Sequence, residues 1–554
     1  MSVNVRIQEK LTAALDTCGV SGEQLLVELP KDLANGDYSS SVALQFSKQL
    51  GMPPRELAEK LKDTLGSVDG VERIEIAGPG FINFHLSGDA LAKSMQAAIS
   101  TDMWGSNERE KGKKMMIEYT DPNPFKEFHI GHLMSNAVGE SLSRLYQFSG
   151  AEVRRANYQG DVGPHVAKAI WGIKTLGLDP ASASALGMAY AAGAKAYEDD
   201  AAAKADIDAI NKAVYEHTDA TIDDIYTKGR EASLAHFEEI YTTLGTKFDH
   251  YFFESQTAPK GVELVRAHPD IFVESEGAVV YKGEEEGLHT RVFLTSKGLP
   301  TYETKDLGLA RMKAETWEAD TYVTVTANEQ KDYFKVVLAA MRRVMPEFAP
   351  KVEHVTHGMM RFADGKMSSR TGNVITGESL IGELTDVAKE RARESRSENT
   401  EELAREVAVA AIKYQILKQG SGKDIIFDRE RALSLEGDSG PYLQYAHARA
   451  YQIVQRAALD AVAASLDVVR ATEALPRLVH RFPEIVEYAA AIKEPHIVTN
   501  YLTELASAFN SWYAQEQILD GTPHAAHKVA LTDAVRKTLK NGLWILGIPA
   551  PERM

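Results

Sequence analysis

The chain has 554 residues, with 62 Lys plus Arg against 79 Asp plus Glu and a net charge of −17. A chain of this length divides into about three domains, and the acidic balance excludes a protein that coats nucleic acid non-specifically, a mode that rests on phosphate neutralisation. With 44% hydrophobic and 25% charged residues and one cysteine, Cys18, it reads as an ordinary soluble globular protein, without an intrachain disulfide or a thiolate-built structural zinc. No apolar run approaches the ~20 residues that cross a bilayer, the N-terminus included, so a cytoplasmic protein with no membrane contact is expected. The charge is uneven: residues 440–554 hold 11 basic and 11 acidic side chains, so the whole excess lies upstream. A neutral segment permits a local basic face there.

In chain order, residues 1–108 read as a small α+β unit. VERIEIA and FINFHL alternate apolar and polar, joined by Gly78-Pro79-Gly80 as a hairpin. RELAEKLKDTL and DALAKSMQAAI are helical patterns on either side. Residues 109–435 alternate strand and helix. MMIEYT, the helix carrying Leu133, Val138, Leu142 and Leu145, and EVRRANY form a βαβ unit, which predicts a parallel sheet with right-handed crossovers. An Ala-rich, acidic, mostly helical insertion follows, strongest over 165–245 and extended to about 300. TYVTVT, DYFKVVLAAMRRVM and VEHVTHGMM resume the alternation, and 436–554 reads as a helix bundle.

Chemistry concentrates in two stretches. DPNPFKEFHIGHLMS, residues 121–135, places His129 and His132 around Gly131 where a strand gives way to a helix. A helix N-terminus has unpaired N–H groups and the positive end of the dipole, and so favours anions. About 230 residues later, FADGKMSSRTGN sets Lys366, Met367, Ser368, Ser369 and Arg370 between Gly365 and Gly372. Those groups suit charge on a transferring or leaving phosphate.

HIGH followed by KMSSR, in that order on two halves of a split nucleotide-binding sheet, resembles the class I aminoacyl-tRNA synthetases, the second stretch standing where that class has KMSKS. The resemblance sharpens to the arginyl-tRNA synthetase family through PNPFKEFHIGH (122–132), NYQGDVG (157–163), GPYLQYAHAR (440–449), the early GPGFINF and the closing PAPERM, and it covers nearly the whole chain. It implies a multidomain α/β protein: a Rossmann-type catalytic domain with a helical insertion, a small N-terminal domain that touches the tRNA elbow, and an all-α anticodon-binding bundle. It implies the partners ATP with Mg2+, L-arginine and tRNA(Arg), and a monomer with no obligate protein partner.

The resemblance also implies roles. His129, Gly131 and His132 would hold ATP with Lys366, Met367, Ser368, Ser369 and Arg370. Lys126 would stand in for the second-loop lysine that many relatives lack, although this chain keeps both. Arginine would lie against Asn123, Glu254, Tyr302, Asp306 and Gln330. The chemistry agrees, because a planar, permanently charged guanidinium needs carboxylates placed for bidentate bonds. For RNA, Asn83 would serve at the hairpin, and Tyr442, Tyr445, Trp512, Tyr513 and Met554 in the bundle, aromatics being able to stack unpaired bases. Met134 stands where the family has Arg, and Val162 with Pro164-His165 replaces its Trp and Gln. Rival readings are another class I synthetase, a small-molecule adenylyltransferase, and a degenerate synthetase kept as an RNA-binding module. One cysteine, the absence of a large editing domain, the acidic pocket candidates, the long helical C-terminal region and the intact signature residues weigh against them in turn.

Overall fold

The structure, a computed structural model, describes residues 2–554 apart from 22–24, 26, 364–374, 394–399, 461, 463, 467–468 and 471. The N-terminal unit contains α1 (Val3–Asp16), β1 (Tyr38–Ser40), α2 (Val42–Phe46), α3 (Pro54–Leu65), β2 (Val71–Ala77), β3 (Phe81–Leu86) and α4 (Gly88–Ser100). Its antiparallel sheet runs β1-β3-β2, and Ile82, Phe84 and Leu86 face one core, as a period of two demands. The hairpin turn needs glycine: Gly78 and Gly80 have φ of 50° and 139°, and a Cβ at Gly80 would stand 2.9 Å from the backbone of Pro54.

The second unit opens with β4 (Lys114–Glu118), α5 (Ile130–Phe148) and β5 (Glu152–Gln159), the expected βαβ. Four helices follow: α6 (Pro164–Leu176), α7 (Ala183–Asp199), α8 (Ala201–Glu216) and α9 (Ala220–Leu244). They close a core of their own around Ile170, Leu186, Ile207 and Ile222. The helical stretch expected to reach about 300 ends at Leu244. Strand β6 (His250–Phe253) rejoins the main sheet beside β5. After α10 (Glu254–Ala267), β7 (Phe272–Ser275), β8 (Ala278–Tyr281) and β9 (Arg291–Leu294) form a small antiparallel sheet. The reason is local: FVES, AVVY and RVFL are short β-branched and aromatic runs separated by glycines, which suits strands and not helix.

Helix α11 (Tyr302–Thr316), β10 (Thr321–Ala327), α12 (Lys331–Val344), β11 (Val352–His357), β12 (Met360–Phe362), α13 (Gly377–Arg393), α14 (Thr400–Leu417), β13 (Ile425–Phe427) and α15 (Arg429–Ala432) complete the unit. The main sheet has the order β11-β10-β4-β5-β6 and every pairing is parallel. The chain builds outward from β4 through β5 to β6, then returns to lay β10 against the other edge of β4. The switch point therefore lies between β4 and β10, and ligands of such sheets bind at the C-terminal ends of the strands there. The last unit is α16 (Gly440–Leu459), α17 (Ala474–Ile492), α18 (His496–Gln515) and α19 (Ala525–Ile545). It packs on both other units. Arg477 on α17 donates to buried Asp37 at 2.5 Å, and Arg144 on α5 donates to the Trp544 carbonyl at 3.0 Å.

Candidate active site at the sheet switch point

Strand β4 ends at the switch point, and the loop after it carries the first signature to the start of α5. His129 caps the helix. Its backbone N–H donates to Nδ1 of His132 at 3.1 Å, so a neutral His132 carries its proton on Nε2 and can donate from there. The two rings stack with centroids 3.5 Å apart. Desolvation of its ring and the charges of Lys126 and His357 lower the pKa of His129 to about 4, although the residue as a whole is exposed. Burial, then His129, Lys126 and His357, hold His132 well below the ordinary histidine value. Both rings are thus neutral donors near pH 7. A Cβ at Gly131 would stand 2.9 Å from the His129 ring, so glycine leaves that ring room over the helix end.

Lys366, Met367, Ser368, Ser369 and Arg370 lie outside the described residues. The residues on either side of 364–374 are described. On the near side β12 pairs with β13. On the far side Thr376 bridges to His129, and the Gly377 N–H donates to the Phe128 carbonyl at 2.7 Å. The chain that follows the second signature, at Thr376 and Gly377, is therefore tied directly to the first.

The acidic candidates converge on the same end of the sheet. Asn123 Oδ1 accepts from the Gly160 N–H at 3.1 Å. A Cβ at Gly160 would stand 2.4 Å from that oxygen and 3.2 Å from the Glu254 carboxyl, so a glycine here brings Asn123 and Glu254 together. Glu254 opens α10 and pairs with Lys305 at 2.5 Å, both buried. Burial raises its pKa against the pull of Lys305. Asp306, one turn into α11, accepts from the Tyr333 hydroxyl at 2.5 Å. Tyr302 begins the same helix, is 65% exposed, and its ring lies 5.2 Å from Lys305 Nζ. Gln330 is exposed at the end of the 3₁₀ turn Asn328–Gln330, and among the described residues no hydrogen bond ties it to Glu254 or Asp306.

Four residues at this end were not singled out from the sequence. Glu118 ends β4, is buried, and pairs with Lys313 at 2.6 Å. Asp121, at φ 49°, accepts from the Tyr158 N–H at 2.7 Å. Tyr333 holds Asp306. Asp161, of the matched NYQGDVG, accepts from Ser255 N–H at 2.9 Å and Arg230 Nε at 3.0 Å, fixing the helix start that carries Glu254. A carboxylate closing an apolar strand run, as in MMIE, does not by itself distinguish Glu118 from a solvated strand end. Of the positions that depart from the family pattern, Met134 and Val162 are buried, and a ring nitrogen of His165 lies 2.8 Å from the Gly160 carbonyl.

At the proposed RNA surfaces, Asn83 is buried on β3 and accepts from the Ser39 hydroxyl at 2.7 Å. Tyr445 and Tyr513 sandwich the Arg449 guanidinium at 4.5 and 4.6 Å, and Tyr513 is 40% exposed. Tyr442 and Trp512 pack against the main core. Met554 is half-buried at the chain end. Taken together, this end of the sheet offers a helix N-terminus with neutral N–H donors and, across β4 and β5, carboxylates. It suits a polyanion next to a cation.

Family models match along most of the chain: the arginyl tRNA synthetase N-terminal domain over residues 5–86, the catalytic domain of class I (R) tRNA synthetases over 94–429, and the DALR anticodon binding domain over 443–554. The arginine–tRNA ligase of Clostridium perfringens is 30% identical, covering 99% of this chain and 98% of its own. That of Clostridium botulinum is 31% identical, with 96% of each covered. The solved arginyl-tRNA synthetase of Thermus thermophilus superposes with a TM-score of 0.82 at 26% identity, over 99% of both chains.

Proposed function

This chain belongs to the arginyl-tRNA synthetases of class I, and from that premise we propose how its residues share the reaction. It activates L-arginine with ATP and passes the arginyl group to the 3′-terminal adenosine of tRNA(Arg). In the first step an arginine carboxylate oxygen attacks the α-phosphorus and the bond to pyrophosphate breaks. In the second a ribose hydroxyl of the tRNA attacks the arginyl carbonyl and AMP leaves.

His129 and His132 donate to phosphate oxygens as charge shifts onto them, together with the N–H groups at the start of α5. Lys126, Lys366 and Arg370 neutralise the triphosphate and the leaving pyrophosphate, while Met367, Ser368 and Ser369 complete the contacts to ATP. Among the described residues no three His, Cys, Asp or Glu side chains converge as a metal site. Mg2+ accompanying ATP would supply further neutralisation of the triphosphate beside these cations. Glu254 and Asp306 face the guanidinium and the α-ammonium, Tyr302 covers the stem, and Asn123 and Gln330 serve the remaining polar groups. Lys305 already neutralises Glu254, which leaves Asp306 as the carboxylate best placed to exchange a neighbour for the substrate's cation.

The N-terminal unit, 1–108, meets the tRNA elbow near Asn83. The catalytic unit is 109–435. The bundle, 436–554, reads the anticodon through Tyr442, Tyr445, Trp512, Tyr513 and Met554, of which Tyr513 is the exposed one. The enzyme works as a cytoplasmic monomer. The observation that carries this reading is the meeting, at one switch point, of a histidine-capped helix N-terminus with Glu254 and Asp306. Charging of purified tRNA(Arg) with labelled arginine tests it: arginine alone is expected to be transferred, and transfer of another amino acid, or of none, overturns it.

A further inference from the structure

The helical insertion α6–α9 holds the signature segment from one side. Phe125 is fully buried and belongs to the insertion's core, whereas Phe128, three residues on, belongs to the core of the main sheet. The Phe125 N–H donates to Ser233 Oγ on α9 at 3.0 Å, its ring stacks on Tyr226, and Gly229 on the same helix leaves space for it, since a Cβ there would stand 2.3 Å from the ring. Phe125 holds φ 68°, a conformation that a phenylalanine adopts only when its surroundings impose it. The segment is thus pinned at both ends, with Lys126 and Glu127 spanning between two cores.

Helix α7 closes on that span. A Cβ at Gly187 would lie 3.2 Å from Cγ of Glu127, so a glycine lets the α7 backbone come this near. Three residues on, along the same helix face, Tyr190 presents its ring to Lys126, with Nζ 5.1 Å from the ring centroid. Among the described residues Lys126 makes no ion pair, while the neighbouring Lys305 does. A half-buried ammonium seated over an aromatic face, drawn by Glu254 only from beyond ion-pair distance while Lys305 pairs that carboxylate, is held without being neutralised. Its charge stays available to a phosphate.

We propose that Tyr190 is the positioning residue for Lys126 in arginine activation, which makes the helical insertion part of the catalytic apparatus. The proposal rests on the reading of Lys126 as a phosphate-facing cation. A carboxylate in place of the ring would cancel that cation; the ring directs it.

The test is a double-mutant cycle on ATP–pyrophosphate exchange, with full-length enzyme and saturating tRNA and arginine. Lys126→Met is expected to lower kcat about 100-fold. Tyr190→Leu is expected to lower kcat about 5- to 20-fold with arginine KM within about twofold of wild type. Tyr190→Phe, which keeps the aromatic face, recovers most of that loss. In the Lys126→Met background Tyr190→Leu should have no further effect. Equal losses in both backgrounds, or a raised arginine KM at unchanged kcat, overturn the inference and leave the Lys126 reading standing. Wild-type exchange in Lys126→Met sinks that reading and the inference with it. Tyr190→Met gives the same discrimination if the leucine variant does not fold.

Discussion

Burial raises the pKa of Asp306 to about 7, with Glu118 and Glu254 adding to it and the Tyr333 hydroxyl opposing. A guanidinium binds the ionised carboxylate, so arginine must displace the proton wherever one is present. The sign follows: above pH 7 Asp306 is ready, and below it kcat/KM for arginine falls about tenfold per pH unit. Asp306→Asn should remove this acid limb and weaken arginine use by about 1–3 kcal/mol; a limb that persists unchanged in the variant contradicts the assignment. At the other end of the cleft, His132→Ala should lower the activation rate by about 10²–10³ and tRNA binding far less. Comparable losses in the two assays would mark His132 as a folding residue. His129 and His132 could be read from the sequence because their spacing around Gly131 is itself the motif. Glu118 and Asp121 could not be: their meaning depends on β10 lying beside β4, a pairing of residues about 200 apart.

Helix α5 carries the signature histidines at one end and a buried charge cluster in its middle. Glu140 accepts from Arg144 at 2.7 Å, from Arg155 at 3.0 Å and from the Tyr119 hydroxyl. Burial would raise its pKa, but Arg144 and Arg155 hold it at about 2. A depressed carboxylate contributes stability at neutral pH that is lost as pH falls from about 4.5 towards 2. Glu140→Gln, which leaves two guanidinium groups facing an amide, should destabilise the fold by about 3 kcal/mol at pH 7. A melting temperature equal to that of wild type would show the cluster to be dispensable. The long helices and the βαβ were evident from periodicity. The small sheet β7–β9 was not, because runs of four residues do not establish a period and the acidic stretch around them favours a helical reading.

Across the whole molecule, the three units hold together through buried polar contacts such as Arg477–Asp37, and the electroneutral bundle carries an aromatic–guanidinium group at Tyr445, Arg449 and Tyr513. Tyr445→Ala and Tyr513→Ala should each raise KM for tRNA, by about 1–3 kcal/mol if a base stacks there, with arginine KM unchanged. Trp512→Ala, removing a ring that packs against the core, should lower the melting temperature instead; the reverse pattern would exchange their roles. The change of fold class along the chain was readable, since strand–helix alternation gives way to unbroken helical periodicity towards the C-terminal end. Which face of that bundle meets RNA was not, because stacking platforms and core aromatics share one spacing. Recognition of a permanent positive charge by carboxylates beside an adenylating centre is most directly tested by tRNA-supported ATP–pyrophosphate exchange with arginine against citrulline, its neutral isostere. Arginine should drive exchange and citrulline should fail by at least about 100-fold, the discrimination that an unpaired buried charge imposes; equal exchange with both would contradict it.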